Sequence, residues 1–222
     1  MTPLALLFDL DGTLIESDRL HYEAFSDLLT EYGRTITWTD YTGQIMGRPN
    51  AEIMADIFPD LPAEHRALAD RKEAMFRDRL AAAVDPVPGI HDLLDQAEAE
   101  DIRVAVVTNA PRVNAEAMLA AAGLAVRFGT VIIGEECERS KPDPLPYLTA
   151  MRALGTTPSR STAFEDSRAG LRAARGSGAH VFGMTTGLDA AELLRSGAHH
   201  AIADFTAPAL RDHLTRLKAR AA

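Results

Sequence analysis

Apolar residues fall along this chain in two kinds of pattern. The first is a short continuous run bounded by turn residues: Leu4-Ala5-Leu6-Leu7-Phe8, Ile102 to Val107, Val131-Ile132-Ile133, Thr162-Ala163-Phe164 and Val181-Phe182-Gly183-Met184. Each reads as a buried strand. In the second, apolar residues recur every three or four positions. Leu20, Ala24, Phe25, Leu28, Leu29 and Tyr32 share one helical face, with Asp18 as the expected cap and Gly33 as the stop. Further helices are predicted over 90–99, 113–122, 145–154, 167–174 and 207–218. Between Ser17 and Val84 no strand pattern occurs. There, residues 63–83, rich in Ala, Arg, Glu and Leu, predict one long charged helix. Asp85-Pro86-Val87-Pro88-Gly89 punctuates its end.

Strands alternating with helices imply an α/β fold, a doubly wound parallel sheet. The helical stretch after the first strand is then an insertion. The expected organisation is a Rossmann-like core of residues 1–16 and 86–222, with an all-α cap of residues 17–85 and hinges near Glu16 to Asp18 and Val84 to Pro88. A length of 222 residues suits one domain with an insertion or two small domains. The formal net charge of -9 argues against nucleic acid or an anionic membrane as the main partner, but not against a phosphate ester, which is recognised locally. Cys137 is the only cysteine, so no intrachain disulfide can form, which fits a cytoplasmic setting. No signal peptide is visible, and no stretch approaches the ~18 apolar residues of a membrane helix.

In α/β folds of this kind ligands bind beyond the carboxyl ends of the strands. The first strand ends in Asp9-Leu10-Asp11-Gly12-Thr13. In an extended chain Asp9 and Asp11 share a face, and two carboxylates that close are tolerable with a divalent cation between them or a proton on one. A calcium loop of the EF-hand type is excluded, because its Gly and Glu positions counted from Asp9 hold Leu14 and Leu20. The next strand ends in Thr108-Asn109. The loop after Val131 to Ile133 leads to Ser140-Lys141-Pro142-Asp143-Pro144, and Thr162 to Phe164 ends in Glu165-Asp166-Ser167. Acids alone would suggest a bare metal site; a lysine and a hydroxyl among them suggest a metal together with a bound anion. Singly, these residues have structural readings as helix caps or a surface lysine. Their order and common place at strand ends favour a functional set.

The set Asp9-Leu-Asp11-Gly-Thr, Thr108-Asn109, Lys141-Pro and Glu165-Asp166-Ser resembles the four motifs of the haloacid dehalogenase-like hydrolase superfamily. Ser140 to Pro144 and Phe164 to Gly170 are similar to its branch holding beta-phosphoglucomutase, phosphoglycolate phosphatase and sugar-phosphate phosphatases. The resemblance implies Asp9 as the nucleophile that forms an aspartyl-phosphate, with Mg²⁺ held by Asp9, the Asp11 backbone carbonyl, Asp166 and Glu165, the last directly or through water. It implies Asp11 as the acid and base, Thr108 and Lys141 as holders of the phosphoryl oxygens, and Asn109 as orienting Asp9 or the substrate. Asp11 favours phosphoryl chemistry over dehalogenation.

The cap is expected to carry substrate choice. His21 matches the place of a sugar-handling histidine in the mutase. Arg48 could meet an anionic substrate group; Asn50 stands where the mutase has arginine, which weakens a mutase reading. The sequence therefore suggests a Mg²⁺-dependent phosphatase of a small phosphorylated metabolite, such as a sugar phosphate or phosphoglycolate, as monomer or homodimer. A phosphosugar mutase is the nearest alternative, and a non-catalytic phosphate-binding regulator the alternative of another class. His199-His200, Gly176-Ser177-Gly178, the arginines at 168, 172 and 175, Cys137 and Trp38 carry no functional reading.

Overall fold

The computed structural model describes residues 2–80 and 84–219. Six parallel strands lie in the order β3-β2-β1-β4-β5-β6: β1 Ala5–Phe8, β2 Arg103–Thr108, β3 Val131–Ile133, β4 Ser161–Glu165, β5 His180–Met184 and β6 His200–Ile202. The strand order reverses direction between β1 and β4, which opens a crevice at the carboxyl ends of those two strands. β1 sits at the centre, buried on both faces, so it carries no polar alternation.

Between β1 and β2 run α1 Asp18–Glu31, α2 Trp38–Asp40, α3 Asn50–Ile57, α4 His65–Arg79 and α5 Ile90–Ala99. The later helices are α6 Arg112–Ala121, α7 Leu145–Leu154, α8 Arg168–Gly176, α9 Ala190–Ser196 and α10 Pro208–Ala219. Successive residues of β1 feed opposite cores. Leu6 and Phe8 join Leu93 of α5, Met118 of α6 and Leu210 of α10, while Ala5 and Leu7 join Met151 of α7 and Leu171 of α8. Helices on both faces make the sheet doubly wound, the α/β architecture the alternation implied. In the first core Phe8 stacks on Phe164 at 4.9 Å, and Phe182 and Phe205 complete an aromatic column under the sheet's centre.

Among the described residues no strand lies between Ser17 and Val84. The expected long helix is shorter: it starts at His65 after a turn of 3-10 helix over Pro62–Glu64 and ends at Arg79. Residues 81–83 of that expectation lie outside the described residues. α1 packs against α4 and α3 against α4. The chain leaves and re-enters the sheet layer at adjacent points, because Ile15 bridges Pro86 and Val87 N–H donates to Leu14 O at 2.9 Å. The start of α1 differs from the expectation. Ser17 occupies the N-cap without a capping bond, and Asp18, one residue inside, is buried and accepts from the Tyr41 hydroxyl at 2.8 Å. His200-Ala201-Ile202, absent from the expected strands, forms β6 and pairs with β5 at the sheet's edge. No helix among the described residues is long and apolar enough to cross a membrane.

Candidate active site

The backbone turns sharply just past β1. Asp9 N–H continues the ladder to Phe164 O at 3.0 Å, and then Gly12, with φ of +70°, reverses the chain so that Gly12 N–H reaches Ile15 O. A side chain at Gly12 is doubly excluded. Its φ disfavours L residues, and a Cβ there would stand 2.3 Å from Asp166 Oδ2 and 2.9 Å from Asp18 Oδ2. The turn is therefore pressed against a carboxylate presented by β4.

Lys141 supplies the counter-charge. Its side chain is 2% exposed, and Nζ donates to Asp9 Oδ1 at 2.5 Å and to Glu165 Oε1 at 2.6 Å. Glu165, wholly buried, also accepts from Tyr147 Oη at 2.6 Å and, more weakly, from Ser167 Oγ. It lies under Gly170, where any Cβ would be within about 2 Å of its carboxylate. Burial would lower the Lys141 ammonium, but Asp9 and Glu165 more than reverse this and hold it above the usual lysine range.

One cation does not balance the acids around it. Asp9, Glu165 and Asp166 are all buried, and each offers an oxygen within 4.8 Å of the others'. Burial pushes the Asp166 carboxyl well above the usual range, and Asp18, Asp9, Glu165 and Asp11 add to it. Asp9 is also raised, by burial first and then by Glu165 and Asp11 against the pull of Lys141. Among the described residues the one hydrogen bond to Asp166 is a 3.5 Å contact from Thr13 Oγ1. A buried, oxygen-only donor set with excess negative charge fits a hard divalent cation.

Asp11 faces elsewhere. Its Oδ1 accepts from Ser17 Oγ at 2.6 Å and meets His21 Nε2 at 2.8 Å, so its carboxylate lies outside the acidic cluster, and only its backbone carbonyl could serve a metal there. Burial raises its carboxyl, but His21 and Ser17 outweigh that, and it sits below the usual range. His21 stacks on Phe76 at 3.7 Å with its Nδ1 2.7 Å from Lys72 Nζ. An ammonium can only donate, so Nδ1 accepts and Nε2–H donates to Asp11. Lys72 in turn donates to Glu73 Oε1 at 2.8 Å. Glu73 is held below the usual range: burial raises it, and Lys72 and His21 lower it further.

A cavity of about 80 Å³ brings together Asp9, Asp11, His21, Arg48, Thr108, Asn109, Lys141 and Asp166; Glu165 lies beneath it. Thr108 is buried, its hydroxyl accepting from Ala110 N–H. Asn109 grips the backbone of Lys141 at both its N–H and its carbonyl, each at 3.2 Å, and reaches Gly47 O at 3.3 Å. Gly47, at φ +74°, lets the inserted segment approach Ser167 so closely that a Cβ would meet Oγ at 2.5 Å. Arg48 also lines this cavity, but its guanidinium is engaged by Asp56 at 2.7 Å and Gln44 O at 2.7 Å, residues of a neighbouring groove.

Sequence reasoning missed Ser17, Lys72, Glu73, Asn114 and Tyr147. A signal existed for Lys72. It lies four residues after Leu68 and four before Phe76, both buried, and so falls on the apolar stripe of α4.

The profile of a family described as "Haloacid dehalogenase-like hydrolase" matches residues 6–184. The chain is 36% identical over 191 residues to validoxylamine A 7'-phosphate phosphatase of Streptomyces hygroscopicus subsp. limoneus, covering 84% of this chain and 88% of the relative. It is 34% identical over 188 residues to protein CbbY of Rhodobacter capsulatus, covering 80% and 83%. Among solved structures, CbbY of Rhodobacter sphaeroides in complex with xylulose-(1,5)bisphosphate superposes with a TM-score of 0.81 at 29% identity over 91% of this chain and 95% of that one. With the four strand-end motifs gathered around one cavity and a family match spanning most of its length, this chain belongs to the haloacid dehalogenase-like hydrolases.

Proposed function

We propose that this hydrolase is a Mg²⁺-dependent phosphatase that cleaves a small phosphate monoester, a sugar phosphate or a phosphoglycolate-like ester, through an aspartyl-phosphate on Asp9. The observation that carries the reading is the separation of the two acids of Asp9-Leu10-Asp11. Asp9 is held against Lys141 at 2.5 Å within the metal-competent cluster, and Asp11 is turned to His21. Carboxylates two residues apart in different environments are suited to different roles.

Asp9, Asp166, Glu165 and the Asp11 backbone carbonyl would hold the cation. When bound, it would offset the carboxylate charge and polarise the phosphoryl oxygens. Asp9 attacks phosphorus, and the ester oxygen departs as an alcohol that takes a proton from Asp11. Asp11 then removes a proton from the water that hydrolyses the aspartyl-phosphate; the depressed carboxyl suits this half, since it favours the base. Lys141 and Thr108 hold the phosphoryl oxygens, while Asn109 fixes the loop that carries Lys141. Residues 17–85 act as a cap over the crevice, entered and left through the paired strands of chain at 14–15 and 86–87. Arg48 lines the cavity, and to meet a second anionic or hydroxyl-rich part of the substrate its guanidinium would exchange Asp56 and Gln44 O for it.

The similarity to validoxylamine A 7'-phosphate phosphatase, and to the phosphorylated carbohydrates phosphatase of Thermotoga maritima at 29% identity over 202 residues, favours a phosphorylated carbohydrate. The test is phosphate release from a panel of esters, with Mg²⁺ and with chelator. Release that needs Mg²⁺ and disappears in Asp9→Asn is expected. Release unaffected by that substitution would overturn the reading, and activity seen only with a sugar bisphosphate primer would move it to a mutase.

A further inference from the structure

Asn114 is fully buried on α6, in the sheet layer, and α4 consumes its whole carboxamide. Arg77 donates to Oδ1 at 2.6 Å, and Nδ2 donates to Glu73 Oε2. Glu73 and Arg77 are one helical turn apart, so one side chain from the sheet layer spans two turns of an inserted helix. The second oxygen of Glu73 accepts from Lys72 at 2.8 Å and from Asn50 of α3 at 2.7 Å. Lys72 then meets His21 at 2.7 Å, and His21 meets Asp11 at 2.8 Å. A polar chain thus leaves the sheet layer at Asn114, crosses the inserted helices, and returns to the sheet layer at Asp11.

We infer that Asn114 is a positioning residue: it docks α4 in the register at which Lys72 and His21 orient Asp11 for proton transfer. The inference rests on the reading of Asp11 as the acid and base. Two features support it. The carboxamide matches its partners in both senses, a donor for the carboxylate and an acceptor for the guanidinium, which neither Leu nor an ionised Asp of similar size supplies. And both hydrogen bonds described between α4 and α6 end on Asn114. Without Asn114, Glu73 Oε2 is left buried without its donor, and α4 has reason to shift its buried end toward water.

The test separates this role from general structural support through the leaving group. An alkyl ester needs a proton on its departing oxygen; p-nitrophenolate leaves without one. kcat/KM is measured for fructose 1-phosphate, 2-phosphoglycolate and p-nitrophenyl phosphate in the wild type and in Asn114→Leu, which keeps the shape and removes both bonds. For the variant we expect alkyl-ester kcat/KM to fall about tenfold or more, within the ~10²–10⁴ that a positioned acid contributes, and the aryl ester to stay within about threefold. Parallel loss on both ester types, or no loss on either, overturns the inference. If Asn114→Leu does not fold, Glu73→Gln, close in shape but uncharged, carries the same expectation and the same refutation. Asp11→Asn measured on the same esters keeps the two readings apart: an equal loss on both ester types there ends the acid–base reading of Asp11 itself, whatever Asn114→Leu shows.

Discussion

Replacing Lys141 with Met tests the electrostatic account of the site through stability alone. Methionine conserves most of the volume and removes the ammonium. Lys141 is 2% exposed and sits 2.5 Å from Asp9 and 2.6 Å from Glu165, whose side chains are 10% and 0% exposed. Its loss leaves two buried carboxylates beside a third, Asp166, with Tyr147 Oη as the remaining strong donor to Glu165. Breaking a buried pair by removing one partner costs about 3–5 kcal/mol. For a chain of this size, with 1 kcal/mol worth ~2–4 °C, that is a fall in Tm of roughly 6–20 °C. The penalty belongs to ionised carboxylates. Asp9, already raised by burial against the pull of Lys141, rises further once the ammonium is gone, so it binds a proton in the fold and the variant loses stability as pH rises through that value. The Tm gap should be small near pH 5 and large at pH 8. Added Mg²⁺ should raise the variant's Tm more than the wild type's, because the lysine no longer competes for the acids. The assay is thermal unfolding followed by circular dichroism in chelator and in Mg²⁺. A gap under about 2 °C at pH 8, or one that does not change with pH, would show that Lys141 does not balance these acids.

Other substitutions probe separate parts of the argument. Gly12→Ala should leave a folded protein, destabilised by about 1–3 kcal/mol from the φ of +70° alone, with phosphate release nearly abolished because the methyl displaces Asp166; near-normal kcat/KM would refute the tight approach. Phe164→Ala, which opens the aromatic column between Phe8 and Phe182, should cost about 3–5 kcal/mol in denaturant unfolding; a loss below about 1 kcal/mol would show that the column is not a principal support. His180 is pushed down to about 3 by burial and by His213, His199, His200 and Arg175, against an ordinary 6.5. It stays neutral in the fold while the unfolded chain takes up its proton, so stability is lost as pH falls from 6.5 toward 3. Half-buried, it contributes on the order of 1 kcal/mol after solvent screening. His180→Leu should flatten the dependence of stability on pH between 7 and 5, and equal slopes in the two proteins would remove His180 as the cause.

The strands were legible because β1, β2, β4 and β5 are buried on both faces, which forces continuous apolar runs that few other structures require. β6 was not: it is as short as β3, but where β3 reads Val-Ile-Ile, β6 reads His200-Ala201-Ile202 with a single β-branched residue. The acids and lysine at the strand ends were legible by type and order, since β1, β2 and β4 end at the same rim. Their division of labour was not. That Asp11 turns to His21 while Asp9 turns to Lys141 depends on α1 and on the loop before α7 arriving from distant sequence. Lys72 and Glu73 were hidden for a related reason. In a helix whose exposed positions carry Arg66, Asp70, Arg71 and Asp78, two charged residues that pair with each other in the interior look like two more solvated ones. Asn109 illustrates the converse: the resemblance implied a role toward Asp9 or the substrate, and the pairing of its carboxamide with the backbone of Lys141 was not readable from sequence.

The central place of β1 has a consequence for how the protein folds. Ala5 must find Arg103 on one side and Ser161 on the other, so the most buried strand is made early in synthesis and completed late. Pairings this distant in sequence are slow, and an unpaired apolar strand is a hazard for aggregation in the interval. The brevity of β1 limits that hazard. The helices of residues 18–79, in which α1 and α3 pack on α4 without any later segment, can form while β1 waits. On this view the inserted helices are a folding unit of their own. A nascent chain arrested before residue 161 should show helical protection in α1 and α4, with β1 still open to hydrogen exchange.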